Sequence, residues 1–284
     1  MRNRSLRPGH ARPLPSPPVT DPSVLQIVLL VVLGLIAGAV NAVAGGGSLI
    51  VFPILLAVGL PPLQANVTNS VAQWPGYAGS TISARDDLAG QRRRATLTSV
   101  VAVLGSALGC TLLLVLPASV FDAIVPVLVL LASLTLGFQP QLKRASAAAA
   151  RRRRDRQGTA EHEVPDQRYP VLLPVVFLAC VYGGYFGGAL GVILIAVLSL
   201  LVNDTLQRLN ALKVLLSLVT ASATVVIFAL FAPVNWFAVL LLAPSTLVGG
   251  YLGILVAKRM PDAVLRWSVV VLGVAVAIYL FLKG

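Results

Sequence analysis

Long apolar blocks separated by short polar turns make up most of this chain. Leu25 to Val43 carries one polar side chain, Gln26, before Asn41. Pro126 to Gly137, Val171 to Tyr182, Phe237 to Ala257 and Trp267 to Leu282 have the same character. A membrane-crossing helix needs about 20 predominantly apolar residues, and several blocks reach that length. The pattern predicts an all-α polytopic membrane protein with about 8–10 membrane segments.

One stretch interrupts the pattern: "NAVAGGGSLIVFPILLAVGLPPLQANVTNS", Asn41 to Ser70. Each glycine inside a helix costs about 1 kcal/mol relative to alanine, so the triplet Gly45 to Gly47 predicts a break. The landmarks of this region return 144 residues later. Gly47 falls on Gly191, Asn66 on Asn210, Gly105 and Gly109 on Gly249 and Gly253, and Pro117 on Pro261. No gap is needed between them. The chain therefore divides into a polar Pro- and Arg-rich tail (1–23), a first membrane repeat (24–138), a basic linker (139–169) and a second membrane repeat (170–284). Each repeat opens with an apolar segment (24–43; 170–187) and a Gly-rich break (44–47; 187–191). A short apolar segment follows (48–58; 192–202), too short for an ordinary span and suited to a half-helix. A longer segment starting with polar residues comes next (64–84; 206–231). Two helices close each repeat (96–116 and 119–138; 236–257 and 262–282).

Leu25 to Ala44 also has arginines upstream and small residues at its end, as a signal peptide does. It is longer than the apolar core of such a peptide and has a counterpart deep in the chain, so it is retained as a membrane segment.

Charge changes the picture by its placement. The net charge is +12, but the excess sits in Arg2 to Arg12, Arg92 to Arg94 and Lys143 to Arg168, which are tails and loops. That is the positive-inside pattern of a membrane protein and not a nucleic-acid surface. The loop after the third segment is basic in repeat one (Arg85, Arg92 to Arg94) and uncharged in repeat two ("FAPVNW"). The loop at Pro117 is uncharged, and its partner "AKRMPD" is basic. This exchange favours inverted repeats. The arginine-rich N-terminus, which inversion places outside, favours a parallel arrangement of eight simple spans instead.

Chemistry is narrowed by what is missing. The two histidines, His10 and His162, lie in polar tails, and Cys110 and Cys180 lie in apolar blocks as small packing residues. No metal-ligand cluster and no nucleophile–base arrangement exists, so neither an enzyme nor a cofactor is expected. None of the ten acidic residues is centred in an apolar segment, which argues against a carboxylate proton relay.

What remains points to binding at the breaks. Irregular backbone at membrane depth occurs where it is buried in protein or lines a cavity, and half-helix N-termini suit an anion. Gly45, Gly46 and Gly47, with Ser48 as a cap, and Gly187, Gly188 and Gly191 are the candidate pocket. Close helix packing is the competing role for the same glycines. Asn66, Asn69, Ser70 and Gln73 share one helical face, as do Asn210, Lys213 and Ser217. Asn66, Asn69, Gln73, Asn210 and Lys213 join the candidate site. Lys213 supplies charge for an anion, unless it snorkels to the interface. Gly34/Gly38, Gly105/Gly109 and Gly249/Gly253 are assigned to helix packing.

These features together resemble the TauE/SafE sulfite-exporter family of small permeases. The resemblance rests on "AGAVNAVAGGGSLIVFPILLAVGLPPLQANVTNS" and "GGYFGGALGVILIAVLSLLVNDTLQRLNALKVLLS" and spans about 24 to 282. The second repeat departs from it with "GALG" in place of a fuller glycine run and Val197 where the first has Pro53. The resemblance implies a multi-pass protein of the plasma (inner) membrane that moves a small anion such as sulfite, a sulfonate or another organosulfur compound. The expected partners are that anion and the lipid bilayer, with no nucleic acid. A non-transporting membrane scaffold that binds a partner through the 139–168 linker is the other expectation. Oligomeric state, direction and coupling ion are left open.

Overall fold

A computed structural model describes residues 23–43, 45–141, 144, 169–257 and 262–283. The N-terminal tail, most of the basic linker and the basic turn containing Lys258 and Arg259 lie outside the described residues. The described residues form eleven α-helices. They are α1 (Val24–Val43), α2 (Ser48–Ala57), α3 (Pro62–Ala72), α4 (Trp74–Ser83), α5 (Arg92–Val115), α6 (Ala118–Gly137), α7 (Tyr169–Tyr185), α8 (Leu190–Leu201), α9 (Leu206–Phe231), α10 (Trp236–Ala257) and α11 (Asp262–Lys283). A 3₁₀ turn, Arg85–Leu88, precedes α5. Val24–Asn41, Arg92–Val115, Ala118–Gly137 and Gln207–Phe231 are long and apolar enough to cross a membrane. The protein is an all-α polytopic membrane protein.

Gln26, the one polar residue in its block, belongs to a capping box. The Ser23 hydroxyl accepts from the Gln26 N–H at 3.3 Å, and Gln26 Oε1 accepts from the Ser23 N–H at 3.0 Å. Helix starts at 62, 92 and 118 recur at 206, 236 and 262, each 144 residues on. The single segment expected over 64–84 is divided, whereas its counterpart α9 is continuous. The division falls at Gln73, two residues before Pro75. That proline has no N–H to continue the helical ladder, so α4 restarts with it in the first turn.

Glycines set the closest helix pairs, and they join the two halves of the chain. On α1, a Cβ at Gly34 would meet Ser245 and Leu242 of α10, and one at Gly38 would meet the backbone of Thr246 and Gly250. A Cβ at Gly249 would run into the Leu35 carbonyl. On α5, Gly105 meets Phe177 and Cys180 of α7, and Gly109 meets Val181 and Tyr185. In both pairs the residue numbers rise together, so α1 runs parallel to α10 and α5 parallel to α7. α6 packs against α11.

The ends of α9 orient the rest. Its first turn meets the first turn of α5, since Arg94 and Arg208 share Asp204. Arg93 lies 5.9 Å over the Tyr169 ring at the start of α7. Beyond the far end of α9, Asn235 opens α10. The helices α5 and α10, matched in sequence, therefore start at opposite ends of α9. Being parallel to α10, α1 starts opposite the Arg92–Arg94 side.

Candidate functional site

The two breaks differ in sequence and share a backbone device. The chain leaves helix after Val43 and re-enters at Ser48, with Gly45 left-handed at φ 77°. In the second half Gly187 has φ 75° and Ala189 has φ 56°. Ala189 is the residue 144 positions after Gly45, and among the described residues it is the only non-glycine with positive φ. An L-residue there costs about 1–2 kcal/mol, so this turn is held by its surroundings. Those surroundings are the other break. A Cβ on Gly45 would stand 3.2 Å from the Gly191 Cα, and one on Gly191 at the same distance from the Gly45 Cα. Phe52 and Phe186 stack edge to face across the same junction, with ring centroids 5.6 Å apart.

This contact changes the expected pocket. Gly45 and Gly191 pack backbone to backbone and leave no room between them for a ligand. Gly47 abuts the Ala37 carbonyl of α1, Gly46 meets the Leu136 side chain, and Gly188 lies against the Phe186 ring. Ser48 is not a cap. It is the first helical residue of α2, after Gly47 at the N-cap position. The first N–H groups of α2 are already engaged: Leu49 donates to Gly46 O and Ile50 to Gly47 O, both at 3.0 Å.

The cavity lies beside the junction. Ser48, Ser70, Gln73, Tyr77, Gly183, Gly187, Leu190, Ser217, Thr220, Ala221 and Thr224 enclose about 310 Å³ of empty space, counted to the mouth. Much of that space opens to the mouth, and the enclosed part holds little more than a water molecule. Two polar stripes supply the lining. Ser70, Gln73 and Tyr77 follow the period of α3 and α4, and Ser217, Thr220 and Thr224 follow that of α9.

The hydrogen bonding of this lining is incomplete. Ser70 donates to the Asn66 carbonyl at 2.9 Å, Thr224 to the Ala221 carbonyl at 2.8 Å, and Thr220 to Cys180 Sγ at 3.5 Å. Gln73 Oε1 and Ser217 Oγ are buried and have no partner. A buried polar atom without a partner costs about 1–3 kcal/mol. The Gln73 amide is held only by a long 3.5 Å contact to Asn69 Oδ1. Asn41 and Ser48 face the Tyr77 hydroxyl, so the polar surface continues behind the lining.

Of the sequence candidates, Ser48, Gln73 and Gly187 line this cavity. Asn69 supports Gln73 from behind. Asn66 is fully buried and donates from Nδ2 to the Tyr185 carbonyl at 2.9 Å, a tie between the two halves. Its counterpart Asn210 is exposed on the outward face of α9, between the buried Leu209 and Ala211. Lys213 does not snorkel to the surface. It is 4% exposed, and its stem lies 3.7 Å from where a Gly191 Cβ would stand. It sits one turn before Ser217 on the same stripe of α9. Thr220, Thr224 and Gly183 were not singled out from the sequence. The first two continue the Lys213–Ser217 stripe at helical spacing, which is the signal that marks them. Among the described residues no group of three or more His, Cys, Asp and Glu is placed to hold a metal ion.

The family model described as "Sulfite exporter TauE/SafE" matches residues 30–280. The chain is 25% identical over 255 residues to a "Probable membrane transporter protein ORF9" of Sinorhizobium sp, covering 89% of this chain and 92% of that one. It is 25% identical over 249 residues to a "Probable membrane transporter protein" of Haemophilus influenzae, covering 87% and 91%. It is 26% identical over 244 residues to the "Probable membrane transporter protein YfcA" of Escherichia coli, covering 84% and 81%. No solved structure matches the chain.

Proposed function

The chain belongs to the TauE/SafE sulfite exporter family, a family of membrane permeases, and from that premise we propose that it moves a small sulfur oxyanion or organosulfur anion through the Gln73–Ser217 cavity. One observation carries this reading. Two residues matched across the 144-residue offset present buried polar atoms without protein partners to the same space. An unsatisfied pair is a standing cost to the fold, and a polar ligand removes it.

The chemistry fits a compact, protonated anion. Ser217 and Ser48 offer hydroxyl protons and Tyr77 a phenolic proton, while Gln73 Oε1 accepts the proton of an acid anion such as hydrogensulfite. Lys213, one turn from Ser217, supplies positive potential without lining the space. Sulfite, a sulfonate or a related organosulfur anion matches the polarity of the lining, and admitting it requires the helices around the cavity to part. Inverted repeats from 24–138 and 170–284 provide the two-way symmetry that alternating access requires, and the opposed starts of α5 and α10 support it. The plasma (inner) membrane is the matching location.

Counterflow in proteoliposomes tests this. Vesicles loaded in turn with sulfite, sulfate, thiosulfate and sulfoacetate are assayed for exchange of labelled anion, with wild type, Gln73→Ala and Lys213→Ala. Saturable exchange of one sulfur anion is expected, weakened about tenfold or more by Gln73→Ala, since a hydrogen bond to a charged group contributes about 1.5–3 kcal/mol. No exchange of any of the four by folded protein removes the sulfur-anion reading and favours the scaffold.

A further inference from the structure

Two ties near the ends of α9 join the halves of the chain, each starting from one of the matched residues Gln91 and Asn235. At the first end, Gln91 donates from Nε2 to the Arg208 carbonyl at 3.2 Å, and its Oε1 accepts from Arg94 at 2.9 Å. Arg94 in turn bridges to Asp204 at 2.8 Å, and Arg208 holds the same carboxylate at 3.0 Å. At the other end stands Asn235, 144 residues after Gln91. Its backbone N–H donates to Thr68 Oγ1 at 3.0 Å. Each tie links the turn before a closing helix of one half to the polar helix of the other. The counterparts of the charged residues are apolar or neutral: Arg94 maps onto Ala238, Asp204 onto Leu60 and Arg208 onto Gln64. One end is ionic and the other is not.

The cavity lies between the ties. Ser217 is roughly 13 Å along α9 from Arg208, at about 1.5 Å per residue. Thr224 is two turns from the other end. Because α9 is long enough to span a membrane, its ends belong to opposite faces. The Arg94 and Asp204 side chains are 11% and 14% exposed. A charge pair that far out of water is stable while intact and strongly disfavoured when one partner is lost. The set is also incomplete, since Arg94 Nε is buried without a partner.

We propose that Arg94, Asp204 and Arg208 form an ionic latch that seals the cavity on one membrane face, while the Asn235–Thr68 tie closes the opposite face through a neutral bond. The latch rests on the alternating-access reading. It makes the two faces unequal. Opening the ionic side breaks both Asp204 bridges at once, so the molecule rests with that side closed.

The test uses the full chain carrying Ser70→Cys, a reporter in the cavity, in detergent. Its alkylation rate by a charged maleimide is measured, with the chain lacking Ser70→Cys as background for the buried Cys110 and Cys180. Asp204→Asn is expected to raise the rate about tenfold by shifting the population toward open, and Asp204→Glu to hold it near the parent value. Should Asp204→Asn fail to fold, Arg94→Gln breaks the same bridge and is scored in the same way. An unchanged rate in a folded, monodisperse variant overturns the latch. Alkylation requires no transport, so a faster rate in protein that exchanges no sulfur anion keeps the latch and removes the sulfur-anion reading. Counterflow together with an unchanged rate does the reverse.

Discussion

Gln73 and Ser217, matched residues of the two halves, meet at one cavity, and each holds a buried polar atom without a protein partner there. A buried polar atom without a partner weakens the protein. Ser217→Ala is therefore expected to raise the melting temperature, consistent with removal of a cost of about 1–3 kcal/mol, while lowering counterflow. A purely structural serine would show the opposite sign in the melting experiment.

The two left-handed turns give a paired prediction. Gly45→Ala places a Cβ at φ 77° and within 3.2 Å of the Gly191 backbone. It is expected to lose about 2 kcal/mol or more. Ala189→Gly relieves φ 56° and is expected to be stabilising by up to about 1 kcal/mol, although glycine in place of alanine usually destabilises. Thermal unfolding of both variants in the same detergent decides the matter.

The α1–α10 seam sets a third. A side chain on Gly249 runs into the Leu35 carbonyl, whereas one on Gly79 meets only the Leu247 methyl at 3.3 Å. Gly249→Val is expected to cost about 3 kcal/mol or more by forcing the helices apart. Gly79→Ala is expected to stay within about 0.5 kcal/mol of wild type. Yield of monodisperse protein and melting temperature both report the difference.

Acid should act on Asp204. Burial by itself pushes this carboxyl up, but the hydrogen bonds from Arg94, the Thr205 N–H and Arg208, with the Arg208 charge, outweigh it and hold it below the ordinary value. A folded-state value below the unfolded one gives stability that is present above about pH 4 and lost as pH falls through the lowered value. Asp204→Asn is expected to flatten the acid limb of a melting-temperature profile, leaving the neutral region lower and level.

Much of the helix pattern was legible because apolar blocks and glycines carry it. The breaks announce themselves as Gly45–Gly47 and "GGALG". The position of Ala189 follows from counting, though its left-handed turn does not, since alanine gives no sign of it. The division at Gln73 was missed because the polar stripe runs through it without a change of period, and only Pro75 marks the place. Asn66 and Asn210 look equivalent in sequence. One is fully buried and the other exposed, because which side of a helix faces the bundle is a tertiary property. Thr220 and Thr224 went unremarked for the same reason: a threonine in an apolar helix commonly bonds its own backbone, as Thr224 does. The glycine triplet drew attention as a ligand cradle, yet the structure uses Gly45 and Gly47 for close approach and opens the cavity a few residues away.

The parallel pairing of α1 with α10 bears on how the protein is made. The glycine seam of α1 has no partner until α10 has been synthesised, about two hundred residues later. During that interval the first half lies in the lipid with its best packing surface uncovered. Assembly order is therefore not the order of synthesis: α1 must wait, and a chain stopped before α10 leaves its glycine seam without a partner helix.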